Sequence, residues 1–142
     1  MRIVDVLRNK GSAVSTITPG ATVRELLIDL AGANIGAMVV VDDAGVAGMV
    51  SERDIVRQLH AIGPSMIDGP VRAIMTAAVA TCSLNDTVDD VSVQMTEHRV
   101  RHVPVLDGAR LVGIVSIGDV VKSRMEELEA AQRQLHSYIT QG

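Results

Sequence analysis

Phenylalanine and tryptophan are absent from this 142-residue chain, and Tyr138 is its one tyrosine. An interior must therefore be built from Val, Ile, Leu, Met and Ala. Bases could not stack on aromatic side chains, the platform that single-strand nucleic-acid binders use. Cysteine is nearly missing too: Cys82, alone, excludes an internal disulfide and fits a reducing compartment. No apolar run is long enough to span a bilayer, and the first ten residues, with an acid at Asp5, lack the apolar stretch of a secretory signal. A cytoplasmic protein, off the membrane, is expected. Positive charge is also in deficit. Thirteen Lys and Arg against seventeen Asp and Glu give a net charge of −4, so no overall basic field favours nucleic acid. His60, His98, His102, His136 and Cys82 show no metal-ligand spacing. Neither a Walker loop nor a nucleophile–base–orienter set is legible, so neither an enzyme nor a resident cofactor is expected.

What is present is a repeat. Gly48-Met49-Val50-Ser51-Glu52-Arg53-Asp54 returns as Gly113-Ile114-Val115-Ser116-Ile117-Gly118-Asp119, each position 65 residues on. A motif recurring at a fixed offset in so short a chain implies two copies of one folding unit. Hydrophobic residues make up 47% of the chain, as in an ordinary compact domain.

Around that motif the first copy reads in order. Residues 3–8 form a short helical lead-in, broken by Asn9-Lys10-Gly11-Ser12. Val14–Ile17 alternates as a strand. Thr22 to Glu25 fits a capping box and opens a helix with Val23, Leu26, Leu27, Leu30 and Ala31 on one face. Asn34 and Gly36 stop it. Ala37–Val41 is a short, β-branched apolar run, hence a buried strand. Asp42 to Gly45 is turn chemistry, and Val46–Val50 returns as a hairpin partner. Ser51 then starts a helix running to about His60.

The second copy repeats this pattern. Val71–Met75 is the lead-in helix and Val79–Cys82 the first strand. Thr87 to Asp90 is the box, with Val88, Val91 and Met95 as the stripe. His102–Leu106 and Leu111–Val115 form the hairpin. The last helix, from Ile117, outruns its counterpart and reaches about Tyr138. The spacing predicts a first unit over 1–62, a linker over 63–70, a second unit over 71–125 and a helical extension over 126–142.

Each unit is thus α-β-α-β-β-α. The helix between the first two strands makes them parallel by a right-handed crossover, and the hairpin is antiparallel. A small mixed three-stranded sheet results. One unit of about 60 residues buries a marginal share of its surface. Two pseudo-symmetric units packed sheet to sheet, an α/β (α+β) fold, solve that problem.

The chain resembles a tandem pair of CBS domains, also called a Bateman module. The resemblance is carried by Gly48 to Ser51 with Asp54, Gly113 to Ser116 with Asp119, Val100 to Asp107 and Val71 to Thr76, and it covers nearly the whole chain. It implies a non-enzymatic sensor of adenosine-containing ligands such as AMP, ADP, ATP or S-adenosylmethionine. It also implies pairing of modules into a homodimer and regulation of a separate, unidentified protein.

Chemistry alone reads Ser51/Asp54 and Ser116/Asp119 as helix caps. The resemblance adds a ribose diol held by each Asp, with Ser as a further polar contact. Arg99, Arg101 and His102 form a basic cluster: a solvated face on composition, a phosphate site by resemblance, Arg offering a planar fork to phosphate oxygens. Gly36 and Ala37 stand where the second copy has Arg101 and His102. The Asp119 cleft is therefore expected to be the better nucleotide site, with the Asp54 cleft empty, uncharged or borrowing Arg53. By resemblance, backbone at Thr16, Ile17, Thr81 and Cys82 meets the adenine edge, while Ile35, Met49, Val100 and Ile114 line its faces. Packing alone also accounts for each of these. Pro104, inside a strand pattern, needs an edge or a position whose N–H has no ladder partner. The long last helix serves either its own unit or a dimer contact. An interaction module with vestigial clefts, acting through homodimerisation, is the alternative function.

Overall fold

A computed structural model describes residues 1–77 and 80–141. In the first repeat the chain forms α1 (Ile3–Lys10), β1 (Thr16–Ile17), α2 (Val23–Ala33), β2 (Ala37–Asp42), β3 (Gly45–Ser51) and α3 (Glu52–Ile62). Two 3₁₀ turns, Pro64–Asp68 and Val71–Ala73, lead into β4 (Thr76–Ala77) and β5 (Cys82–Ser83). The second repeat continues with α4 (Val88–His98), β6 (His102–Asp107), β7 (Arg110–Ser116) and α5 (Ile117–Gln141).

Local chemistry explains most boundaries. Thr22 and Thr87 cap α2 and α4 through boxes closed by Glu25 and Asp90. The buried stripes follow: Val23, Leu26 and Leu30 under α2, and Val88, Val91 and Met95 under α4. Leu27 of the expected face is instead partly exposed. β2 pairs parallel to β1 and antiparallel to β3, and β6 does the same with β5 and β7. The register slips once in each hairpin, between Val40 and Val41 and between Val105 and Leu106, so even the bulge is repeated. The fold is thus mixed α/β in two small sheets, with β3 touching β7 across the interface.

Three details depart from the expected pattern. The first sheet has four strands, because β4 adds to β3. The lead-in expected over Val71–Met75 is a single 3₁₀ turn, Val71–Ala73, rather than a helix, since the chain must already be extended at Thr76 to pair with Met49. Third, the strand expected over Val79–Cys82 is seen at Cys82–Ser83; Val79 lies outside the described residues. Pro104 accounts for the shift. Val39 N–H donates to Ser15 O, and Pro104, 65 residues on, has no N–H to donate. Pro104 therefore sits on the central strand, at the end β5 does not reach.

The two cores are not the two repeats. One cluster joins Ile3, Val6 and Leu7 of α1 to the second repeat's Val88, Val91, Val103, Val105 and Val115. The other joins Val71 and Ile74 to the first repeat's Val23, Leu26, Val40 and Val50. Each lead-in is lent to the opposite unit. The backbone docking is symmetric: Val88 N–H donates to Met1 O (3.0 Å) and Val23 N–H to Gly69 O (3.0 Å).

This exchange explains the glycine that opens the repeated motif. A Cβ on Gly113 would meet Leu7 Cδ1 at 2.6 Å, and one on Gly48 would overlap the backbone oxygen of Thr76. Only a residue without a side chain lets the borrowed segment approach so closely.

Candidate functional site

Ser51 and Ser116 end β3 and β7 in extended conformation, and helices α3 and α5 begin at the next residue. The capping reading holds for both. Asp54 N–H donates to Ser51 Oγ (3.4 Å), while Asp54 Oδ2 accepts from Ser51 N–H (2.8 Å) and Oγ–H (3.1 Å). Asp119 N–H donates to Ser116 Oγ (3.2 Å), and its Oδ2 accepts from Ser116 N–H (2.8 Å). Each cap holds its carboxylate fixed at a helix N-terminus, where the backbone dipoles favour negative charge.

The junctions then diverge. Lys10, in the last turn of α1, places Nζ 2.6 Å from Asp119 Oδ2 and 2.9 Å from Ile114 O. The lent helix thus sets an ammonium on the second carboxylate. Burial alone would raise the Asp119 pKa; hydrogen bonds from Lys10 and Ser116, with the Lys10 charge, outweigh it and hold the carboxyl below its ordinary range. Among the described residues no such cation pairs with Asp54. Both its side-chain hydrogen bonds go to Oδ2, which leaves Oδ1 without a donor among the described residues.

Beside Asp54 lies a cavity of about 540 Å³. The first unit supplies Gly36, Ala37, Met49, Ser51 and Asp54 to its wall, and the second supplies His98 through His102. Thr76, Ala77 and Ala80 close it along the connecting segment. Its charge is strongly biased, since Arg53, Arg57, Arg99 and Arg101 outnumber Glu52 and Asp54 among the described residues of its wall. In low-dielectric walls such a cluster focuses a positive field on an anion. Arg99 has φ 53°, the left-handed region, at the end of α4. Asn34, its repeat partner, shares that conformation and tolerates it, whereas Arg does so at a cost of roughly 1–2 kcal/mol.

His102 is half-buried, and burial pushes its pKa down from 6.5; the charges of Lys10 and Arg101 act the same way, with Asp119 opposing. It is therefore a neutral donor–acceptor near pH 7. Cys82 is buried, and burial with the nearby Asp86 pushes its thiol up to about 12, which makes it unreactive.

The residues singled out from sequence thus separate. Ser51, Asp54, Val100, Arg101, His102 and Met49 meet in one cavity, with Arg53 as the suspected borrowed charge. Ser116, Asp119 and Ile114 do not line it; they hold Lys10. Thr16 and Thr81 are not on its wall, and Ile35 packs against the first core. The basic cluster expected to serve Asp119 faces Asp54 instead. The turn between α4 and β6 carries Arg99 and Arg101 from the second unit to the first unit's helix start. Lys10 went unseen because 109 residues separate it from its partner. Arg57 had a signal: it follows Arg53 by four residues on α3, hence on one face. Among the described residues no cluster of His, Cys, Asp and Glu could hold a metal, and no helix is long and apolar enough to cross a membrane.

Comparison with known proteins agrees with the fold. The CBS domain family model covers residues 6–61 and 71–126. A crystal structure of a CBS-domain containing protein from Agrobacterium tumefaciens is 41% identical, superposes with a TM-score of 0.83, and is aligned over 87% of this chain and 99% of that one. The CBS domain protein PAE2072 from Pyrobaculum aerophilum, solved in complex with AMP, is 29% identical, with a TM-score of 0.78 over 93% of this chain and 99% of that one. The CBS domain pair of protein MJ0100, solved with 5′-methylthioadenosine and S-adenosyl-L-methionine, is 25% identical, with a TM-score of 0.78 over 89% and 98%.

Proposed function

Since the chain belongs to the CBS-domain family, with two copies of the domain in tandem, we propose that it is a non-catalytic regulatory module that binds a phosphorylated adenosine in the Asp54 cavity. One observation carries this reading: a carboxylate with one oxygen that has no donor among the described residues shares a cavity with four arginines, two on its own helix and two from the other unit. Asp54 Oδ1 would accept the ribose hydroxyls, and Arg99 and Arg101, with Arg53 and Arg57, would hold the phosphates. The solved relatives supply the adenosine: AMP in one, 5′-methylthioadenosine and S-adenosyl-L-methionine in the other. Charge then discriminates among these. Four guanidiniums favour AMP, ADP or ATP over a sulfonium cation, so S-adenosylmethionine is the weaker ligand here.

Binding would tie the first unit to the second, since the wall has residues from both. A ligand that prefers one arrangement of the units shifts the population towards it, which is how a partner protein would be signalled. Isothermal titration with AMP, ATP and 5′-methylthioadenosine tests the assignment. Asp54→Ala is expected to weaken AMP binding at least about tenfold, the equivalent of roughly 1.4 kcal/mol, and Asp119→Ala about twofold or less. Equal affinities for all three proteins would refute it.

A second reading has its own support. Val56, Leu59 and Ile62 on α3, and Val121 and Met125 on α5, are exposed, as an interaction module acting through homodimers requires. No thermal shift with any adenosine ligand would favour it, because a ligand binding only the native state must raise the melting temperature.

A further inference from the structure

Two acids stand on the described wall of the cavity, and they are held differently. Asp54 is bound back onto Ser51. The Glu52 carboxylate has no ion-pair partner among the described residues, although four arginines share its cavity. It lies over Gly36, where an added Cβ would meet Glu52 Oε1 at 3.3 Å. Its charge also reaches His102, the residue next to Arg101. The repeat shows what is particular about this placement. Gly36 and Glu52 correspond, 65 residues on, to Arg101 and Ile117. The same backbone bond seats both pairs: Glu52 N–H donates to Gly36 O (2.9 Å), and Ile117 N–H to Arg101 O (2.8 Å). In the second copy the residue before the strand brings the charge, and it is positive. In the first the start of the helix brings it, and it is negative.

On the wall, four guanidiniums meet two carboxylates, with His102 neutral near pH 7. Two positive charges are left unmatched. A phosphate monoester carries about two negative charges at that pH, so one phosphate neutralises the wall. Each further phosphate adds negative charge that no guanidinium is left to balance, inside a cavity where like charges repel more strongly than in water. Resting on the reading that the Asp54 cavity takes a phosphorylated adenosine, we propose that Glu52 is its specificity-determining residue: the carboxylate over Gly36 repels a second and third phosphate and so selects a nucleoside monophosphate over di- and triphosphates. Arg99 and Arg101 supply the attraction common to all three ligands, and Glu52 supplies the discrimination among them.

Isothermal titration of the full chain with AMP, ADP and ATP in magnesium-free buffer is the test. The wild type should bind AMP tightest and lose affinity with each added phosphate. Glu52→Gln keeps the size of the side chain and removes its charge. Glu52 is exposed at a helix start, so the variant stays folded, with unchanged circular dichroism. It should tighten ATP at least about tenfold and AMP about threefold or less, which narrows or reverses the preference. Glu52→Lys should tighten ATP further, an order set by charge and not by size. A wild type that prefers ATP, or an AMP-to-ATP ratio that Glu52→Gln leaves unchanged, would overturn this inference and leave the adenosine site standing. Failure of the wild type to bind any of the three would overturn both. With magnesium added, ATP binding that is weaker in Glu52→Gln than in the wild type would make Glu52 a ligand of the phosphate-bound metal, and would likewise overturn the inference.

Discussion

The two Ser–x–x–Asp junctions share their Ser and Asp, a capping box and a strand context, yet their carboxylates end beside different partners. Asp54 opens onto a cavity rich in guanidinium. Asp119 is already paired with an ammonium delivered by the lent helix. Identical local motifs therefore set where a carboxylate sits, and the segment that arrives from elsewhere sets whether it is available. The same contrast holds for the motif's glycines. The segment crowding Gly48 presents backbone, and the one crowding Gly113 presents the end of a leucine.

The strongest way to break the comparison is at those glycines. Gly48→Ala must push β4 away from β3 and is expected to cost about 3 kcal/mol, whereas Leu7 can turn aside for Gly113→Ala at about 1 kcal/mol. Chemical denaturation of both variants measures this, and equal losses would show that the two approaches are alike. Lys10→Ala comes next. It frees Asp119 and is expected to let a second equivalent of AMP bind, with a loss of stability of about 1 kcal/mol for a partly exposed pair. Titration stoichiometry reads the outcome; an unchanged single site would mean that more than Lys10 separates the clefts.

The smallest effect is in pH. The folded state holds His102 below 6.5, so the unfolded chain binds its proton first, and stability falls as pH drops below about 6.5. Asp119 acts lower: its depressed folded pKa gives stability that is present above the unfolded value near 3.8 and lost as pH falls through the folded one. His102→Ala, the residue type that the first unit carries at Ala37, should flatten the fall in melting temperature between about pH 7 and pH 5. A slope unchanged by the substitution would assign the loss to other groups.

The repeat, the hairpins, the capping boxes and the Ser/Asp junctions were legible because each is written within a few consecutive residues. Thr22 and Glu25 announce a helix start by themselves, and the 65-residue offset announces the duplication. The lent lead-ins were not legible. Ile3, Val6 and Leu7 have the same apolar stripe whichever unit receives them, and nothing in their spacing names the recipient. The pairing of charges across units was hidden for the same reason. Arg101 adjoins Ser116 through strand pairing, since His102 faces Ser116 in the ladder, so sequence logic joined it to Asp119. Its place on the wall opposite Asp54 depends on how two sheets stack, which no local pattern records. The four-stranded sheet escaped because Thr76–Ala77 is too short to show alternation.

The crossed lead-ins carry a consequence for how the molecule comes apart. A cut near Gly63 would leave each fragment holding the plug for its sibling's interior and lacking its own. Neither half owns a finished centre, so the pair melts together, and a disturbance at one end of the molecule is paid out in the packing of the other.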